Sequence, residues 1–339
     1  MTKRCRSFPT LVMNVGVTFM QSEQFIYGYY FGAQTSSNDI HQLEQLQNDK
    51  PYWLHFDYKA EGTSKWLQEQ SGLNQVVIDA LLNDETRPRA SVFNDGILIS
   101  LRGVNLAANS NPEDMVSIRL WFSKDKVIST RHRTLLSVKD IANDFTAGEG
   151  PKTPAQFVSL LAERLIARMS ETIEEIEDKV SEIEESILLS SNYSLRNELS
   201  DLRRQIISLR RYLSPQREAM QQLLNEKVTL FSSEEKIQLR ETTDHLIRFI
   251  EDLDSIKDRA AVSQEELSNR LAEQMNGRMY VLSIVAAIFL PLGFLTGMLG
   301  INVGGIPGAD NEYAFAIFAI MLGLIVSLQI WVFKKNKWF

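Results

Sequence analysis

The chain contains one cysteine, Cys5. A single thiol excludes an internal disulfide and any cysteine-based metal site within one chain. Histidine is almost as scarce. His41, His55, His132 and His245 are scattered, and each reads as a surface or packing residue before a metal ligand. There is no Gly-rich phosphate loop with Lys-Ser/Thr, no His-Glu-x-x-His and no Gly-x-Ser-x-Gly, so no enzyme is predicted. A basic surplus is also missing. The net charge is −7 over 339 residues, which argues against nucleic acid as a partner because phosphate binding needs basic surface. The acidic balance is compatible with attracting cations and, more commonly, with plain solubility.

Charge itself is absent from two runs. No Asp, Glu, Lys, Arg or His occurs between Met279 and Leu299 or between Tyr313 and Phe333. A membrane-spanning helix needs about 20 mostly apolar residues. Both runs meet that length, which predicts two C-terminal membrane helices rather than a buried helix pair. Arg270 and Arg278 precede the first run, and Lys334, Lys335 and Lys337 follow the second. The loop between them carries Asp310 and Glu312 and no Lys or Arg. The excess of positive charge on one side predicts both termini in the cytoplasm and the short loop outside. Trp331 and Trp338 suit an interfacial belt at the cytoplasmic face. At the other end, Lys3, Arg4 and Arg6 precede Leu11–Val17, a stretch too short and too polar for a signal peptide. It reads as a flexible arm or the start of a strand, with the N-terminal region in the cytoplasm.

Proline and glycine divide the rest. Residues 25–147 read as a mixed α/β domain. Strands are predicted at Phe25–Phe31, Tyr52–Tyr58 and across Ser91–Val104, the last broken by the turn Asn94-Asp95-Gly96. A further hairpin is predicted from Ser117–Ser123 and Lys126–Thr130, and helices at Gln75–Asn83 and Leu135–Phe145. Gly148-Glu149-Gly150-Pro151 marks a boundary. From Pro154 to Gly277 only Pro215 interrupts a helix-forming sequence. One helix is predicted from Pro154 to Ser190. A second runs from Ser194 to about Glu226, kinked at Pro215. A third starts at Ser232-Ser233-Glu234-Glu235 and continues through the first span to near Gly300, roughly 100 Å at 1.5 Å per residue. Its apolar seam (Leu246, Phe249, Leu253, Ile256, Ala260, Leu267) asks for partner helices from the same chain or from identical subunits, as in a coiled-coil stalk. The predicted organisation is a cytosolic α/β domain over 1–150, long helices and stalk over 151–278 and a first span over 279–300. A short outer loop over 301–312, a second span over 313–333 and a basic tail over 334–339 complete it.

Two patterns could carry chemistry. Glu171, Glu174, Glu175, Glu177, Asp178, Glu182, Glu184 and Glu185 fall on one predicted helix. A solvated face is the simpler reading. The functional one is an electrostatic sink, or weak sites for hard divalent cations at Glu174, Glu175, Glu177 and Asp178. The second pattern is Gly293-x-x-x-Gly297 followed by Gly300, which lets helix backbones approach closely. Continued upstream at helical spacing it gives Leu290, Ala286, Ser283, Met279 and Asn276. Copies of this stripe around an axis would make a narrow pore, although simple helix dimerisation would use the same glycines. With no Asp, Glu, Lys, Arg or His in either span, a cation crossing here would pass hydrated, held by neutral oxygens such as that of Asn302.

The run Phe289-Leu-Pro-Leu-Gly-Phe-Leu-Thr-Gly-Met-Leu-Gly-Ile-Asn302, with the C-terminal Lys334-Lys335-Asn336-Lys337-Trp338, resembles the CorA family of divalent cation transporters. The resemblance extends to domain order along nearly the whole chain. It implies a homopentamer with the first span lining the pore. Asn276, Met279, Leu290, Gly293 and Gly297 would fall on or near that lining. Gly300 and Asn302 would form the outer mouth, and Asp310 and Glu312 would draw cations toward it. The mouth departs from the Gly-Met-Asn typical of magnesium transporters, since Ile301 stands at the centre. Gly300-Ile301-Asn302 with Val303-Gly-Gly-Ile-Pro-Gly308 resembles the ZntB branch, associated with zinc. The reading is therefore a CorA-like homopentamer, an α+β cytosolic domain joined through a helical stalk to two membrane helices. It would move zinc across the inner membrane as cargo, with no cofactor. The alternatives are a magnesium or cobalt channel and a non-transporting membrane-anchored coiled-coil scaffold or sensor.

Overall fold

A computed structural model describes residues 25–32, 39–47, 49–84, 87–189, 193–300 and 311–335. Cys5, the 11–17 stretch, Ile301, Asn302, Asp310 and the tail from Asn336 lie outside the described residues. The chain divides into two compact units, one of residues 1–185 with 197–262, the other of 186–196 with 263–339.

The first unit is built on one six-stranded sheet. Its strands are β1 (Tyr27–Tyr30), β2 (Tyr52–Asp57), β3 (Arg89–Val92), β4 (Ile97–Gly103), β5 (Val116–Phe122) and β6 (Lys126–Arg131). Their order is β1-β2-β6-β5-β4-β3, with β2 parallel to β6 and every other pair antiparallel. Period-two alternation sends Leu54, Phe56, Leu98, Trp121 and Ile128 to one face. There they pack with Trp66 and Leu67 of α1 (Thr63–Glu69) and Val77 and Leu81 of α2 (Gln75–Leu82). The other face meets α3 (Leu136–Ala147) and α4 (Pro154–Leu189). Trp53 sits between Phe145 and Phe157 there, at ring separations of 5.7 and 4.6 Å. Helices on both faces explain why these strands are apolar almost throughout. α3 ends at Gly148, whose φ of +80° is the left-handed conformation that glycine adopts without strain.

A closed polar network lies inside this second layer. Ser129 Oγ accepts from Trp53 Nε1 and from His55 Nδ1, each at 2.8 Å. Arg131 Nε donates to His55 Nε2 at 2.9 Å, which places the imidazole proton on Nδ1. Burial holds the His55 pKa well below the usual histidine value, and the Arg131 charge pushes it the same way. The folded chain therefore resists a proton that the unfolded chain accepts near about pH 6.5. Stability from His55 is present above that pH and is lost as pH falls toward the folded-state value, at up to about 1.4 kcal/mol per pH unit. Thermal denaturation between about pH 7.5 and about pH 5.5 should show a steeper loss for the wild type than for His55→Gln. Equal slopes would contradict this account.

Parts of three long helices, α4 to Glu185, α5 (Tyr193–Leu223) from Asn197 and α6 (Ser233–Leu299) to Val262, complete the first unit. α5 continues through Pro215, and α6 begins with a capping box. In that box Glu235 N donates to Ser232 Oγ, and Ser232 N donates to Glu235 Oε2. The α6 seam is buried within the chain at Leu246, Leu253, Ile256 and Ala260, with Ile250 buried and Phe249 only half-buried. Its partners are α4 and α5. Gln238 meets Glu163 and Arg259 meets Glu177 and Glu184, so α4 and α6 run parallel. Arg210 of α5 pairs with Asp254 at 2.7 Å.

In the second unit, Arg270 Nη1 donates to Ile187 O at 3.1 Å. The rest of α6 and α7 (Ala314–Lys335) form the hairpin.

Candidate functional site

The charge-free part of α6 and the whole of α7 are each long and apolar enough to cross a membrane, and neither is buried within the chain. They share a seam. On α6, Ile284, Ala287, Ile288, Pro291, Leu292 and Leu295 are partly covered. On α7, Ala314, Phe318, Leu322, Ile325, Gln329 and Phe333 are partly covered, recurring every three to four residues as one helix face must. Gln329 Nε2 donates to Ala287 O at 3.5 Å across this seam, while its Oε1 is buried without a hydrogen-bond partner.

The stripe predicted from spacing faces elsewhere. Asn276, Met279, Ser283, Ala286, Leu290, Gly293 and Gly297 all lie in the broad arc that α7 leaves uncovered. Leu290 is 73% exposed and Met279 59%. A Cβ placed on Gly293 or Gly297 would meet nothing within 4 Å. The hydroxyls on α6 are satisfied locally, with Ser283 Oγ donating to Met279 O and Thr296 Oγ1 to Leu292 O. Beyond Asn276, the stripe therefore presents small and apolar groups and no charged one.

Of the proposed mouth, Gly300 lies just past the end of α6, where its N–H donates to Thr296 O at 2.9 Å. Ile301 and Asn302 fall outside the described residues. Glu312 is exposed at the entry to α7, where Asn311 Oδ1 accepts from Tyr313 N at 2.9 Å. At the other end of α7, Lys335 Nζ sits 5.0 Å above the Trp331 ring. This pairs a cation with an aromatic face at the end of the helix.

The acidic residues Glu174, Glu175, Glu177 and Asp178 are exposed on α4. Among the described residues no three His, Cys, Asp or Glu side chains converge as a metal site would need. Glu174 accepts from Ser170 Oγ at 2.7 Å, and Glu177 pairs with Arg259 at 3.3 Å. Arg259 also reaches Glu184 at 2.6 Å and Ser181 Oγ at 2.9 Å. Part of the acidic run thus fastens α4 to α6. Sequence reasoning passed over Gln329, although an amide in an otherwise apolar run is itself a signal.

Comparison with known proteins now bears on this arrangement. The divalent cation transporter CmaX of Pseudomonas aeruginosa is 39% identical over 320 residues, covering 92% of this chain and 96% of the relative. The zinc transport protein ZntB of Yersinia enterocolitica is 35% identical over 319 residues, covering 94% and 97%. A solved structure of full-length CmaX superposes with a TM-score of 0.80 at 37% identity, covering 93% of this chain and 98% of that one. The family model described as CorA-like Mg2+ transporter protein matches residues 48–335. An α+β unit, long helices and a charge-free C-terminal helix pair are therefore the parts of a known architecture, and the chain belongs to the CorA family.

Proposed function

We propose that this membrane protein carries zinc through a homopentameric pore lined by the 279–300 segment, with Gly300, Ile301 and Asn302 as its mouth. The coarser function, divalent cation transport of the CorA/ZntB type, follows from family membership. The observation that carries the finer reading is the position of the Asn276–Gly297 stripe. α7 covers a different face of α6, so the stripe remains available to other copies of the chain. Gly293 and Gly297 would let those copies approach closely. A charge-free lining offers no ligand to replace a hydration shell, so the ion would pass with its water, contacted by carboxamide and backbone oxygens. Asp310 and Glu312 would raise the local cation concentration at the outer side. The metal is cargo and not a resident cofactor. Both termini would lie on the cytoplasmic side of the inner membrane.

Zinc is favoured over magnesium by Ile301 at the mouth and by relatives named as zinc transport proteins at 34–35% identity. A magnesium or cobalt channel is the second reading, favoured by the magnesium named in the family description. Purified protein in proteoliposomes separates them. Zinc influx should exceed magnesium influx, measured with and without a pH gradient. Faster magnesium than zinc entry would select the second reading. No flux of any divalent cation from intact oligomers would leave only a scaffold.

A further inference from the structure

The first unit contains a polar cavity of about 530 Å3, bordered by β4, β5 and α5. That volume falls within the range of small-ligand sites, roughly 300–1,000 Å3. Its construction begins with Gln216, fully buried on α5. Gln216 Oε1 accepts from Arg102 N at 2.7 Å, and its Nε2 donates to Arg102 O at 3.1 Å. This fixes α5 against β4 and brings Tyr212, one turn earlier, to the cavity wall. The Arg102 guanidinium lies 4.0 Å from the Tyr212 ring centroid, and its Nη1 donates to Met115 O at 2.7 Å. A cation and an aromatic face are thereby held in place at the cavity.

Behind the wall formed by Tyr58 and Asp84 lies Arg119, which has no solvent exposure. It stacks 4.6 Å from the Tyr58 ring centroid, and its Nη2 donates to Asp84 O at 2.9 Å. Its Nε and Nη1 are buried with no hydrogen-bond partner. No carboxylate oxygen lies within 4.0 Å of it among the described residues. Tyr58 OH donates instead to the Asp84 carboxylate at 2.7 Å, and Lys59 approaches the same oxygen at 3.5 Å. Burial lowers the Arg119 pKa, and the nearby Arg102 charge acts in the same direction. Arg119 does not itself border the cavity, so its charge acts on a ligand there only through the positive field it adds behind Tyr58 and Asp84. Arg133 and Arg211 add two exposed guanidiniums to the lining, with no ion pair among the described residues. Glu113 and Asp114 lie on the same lining and can accept hydrogen bonds from hydroxyl or amino groups.

Arg102, Arg133 and Arg211 for an oxyanion, two tyrosine rings for a planar group and the carboxylates of Asp84, Glu113 and Asp114 for donors make one composite specificity. We propose that this cavity binds a small organic phosphate of mononucleotide size. The phosphate takes the arginine side, the base lies against a tyrosine face, and the sugar hydroxyls donate to Glu113 or Asp114. A bare anion would satisfy the arginines but be repelled by the carboxylates. This explains why the ligand needs donors of its own.

Isothermal titration of the full-length protein in detergent, without added metal, tests the proposal with AMP, ATP and inorganic phosphate as probes. AMP or ATP should bind more tightly than inorganic phosphate. Arg133→Ala and Arg211→Ala, both at exposed positions, should each weaken nucleotide binding about tenfold, the loss of one charge-assisted hydrogen bond. Three results would overturn the proposal. They are no nucleotide heat up to about 5 mM, unchanged affinity in both variants, and inorganic phosphate binding as tightly as AMP.

Discussion

Replacing Asn302 with alanine is expected to cut zinc flux into proteoliposomes at least about tenfold while leaving the oligomer intact. If five carboxamides face the ion at the mouth, each substitution removes an acceptor from its hydration shell in every subunit. One hydrogen bond involving a charged group is worth about 1.5–3 kcal/mol, and about 1.4 kcal/mol is a factor of ten. The loss should exceed that of a single contact because the substitution repeats around the ring. Fluorescent detection of zinc inside the vesicles measures it, with size-exclusion chromatography of the same preparation to confirm assembly. Unchanged uptake from an intact oligomer would remove Asn302 from the mouth and with it the hydrated-ion argument.

The largest effect on stability is expected from Trp53→Ala. Trp53 is fully buried, donates to Ser129 Oγ at 2.8 Å, and packs its indole against Tyr29, Phe145 and Phe157. Truncating a large buried aromatic costs about 3–5 kcal/mol through lost transfer energy and the cavity left behind. Here the cavity would open between β2, α3 and the first turn of α4, where the long helices join the sheet. Ser129 would keep His55 as a partner, so the polar network would be weakened and not orphaned. Denaturant unfolding of the full chain followed by far-UV circular dichroism gives the difference. A loss below about 1 kcal/mol would mean that the site collapses around the vacancy far better than its packing suggests.

Local signals in this sequence translated well into local structure. Tyr52–Tyr58, the Asn94-Asp95-Gly96 turn and the Lys124-Asp125 hairpin each depend on neighbours in the chain, and each appears within a residue or two of its expected place. The start of α6 was legible because Ser232 and Glu235 stand at capping-box spacing. α1 was missed. It has seven residues and no side-chain cap, and only Thr63, Trp66 and Leu67 mark its buried face. A helix that short is held by its contact with the sheet, which no window of sequence contains. The parallel pairing of β2 with β6 was invisible for the same reason, because the partners lie more than 70 positions apart. The α6 seam was legible as a seam, but not whether its partners came from this chain. The structure supplies α4 and α5 through Arg259 and Arg210.

The candidate site divides along the same line. Missing charge located the spans, and helical spacing named the stripe. Which way the stripe faces depends on where α7 lies, and the periodicity of α6 alone does not carry that. The arginine cavity has no linear trace at all. Arg102, Arg133 and Arg211 come from β4, the segment after β6 and α5, with Arg119 of β5 behind the wall. They gather only because the sheet order sets β4 beside β5 and Gln216 ties α5 to them.

That tie by Gln216 also bears on solubility. β3 pairs with β4 only from Ile97 to Ser100, so β4 extends past its neighbour at the rim of the sheet. An uncovered N–H and C=O pair at such a rim is a template on which a foreign strand can build. The Gln216 amide occupies both groups of Arg102 in the manner of a one-residue strand. A helix of the first unit thus occupies the backbone groups that a foreign strand would need at this point of the rim, which removes one starting place for self-templated aggregation.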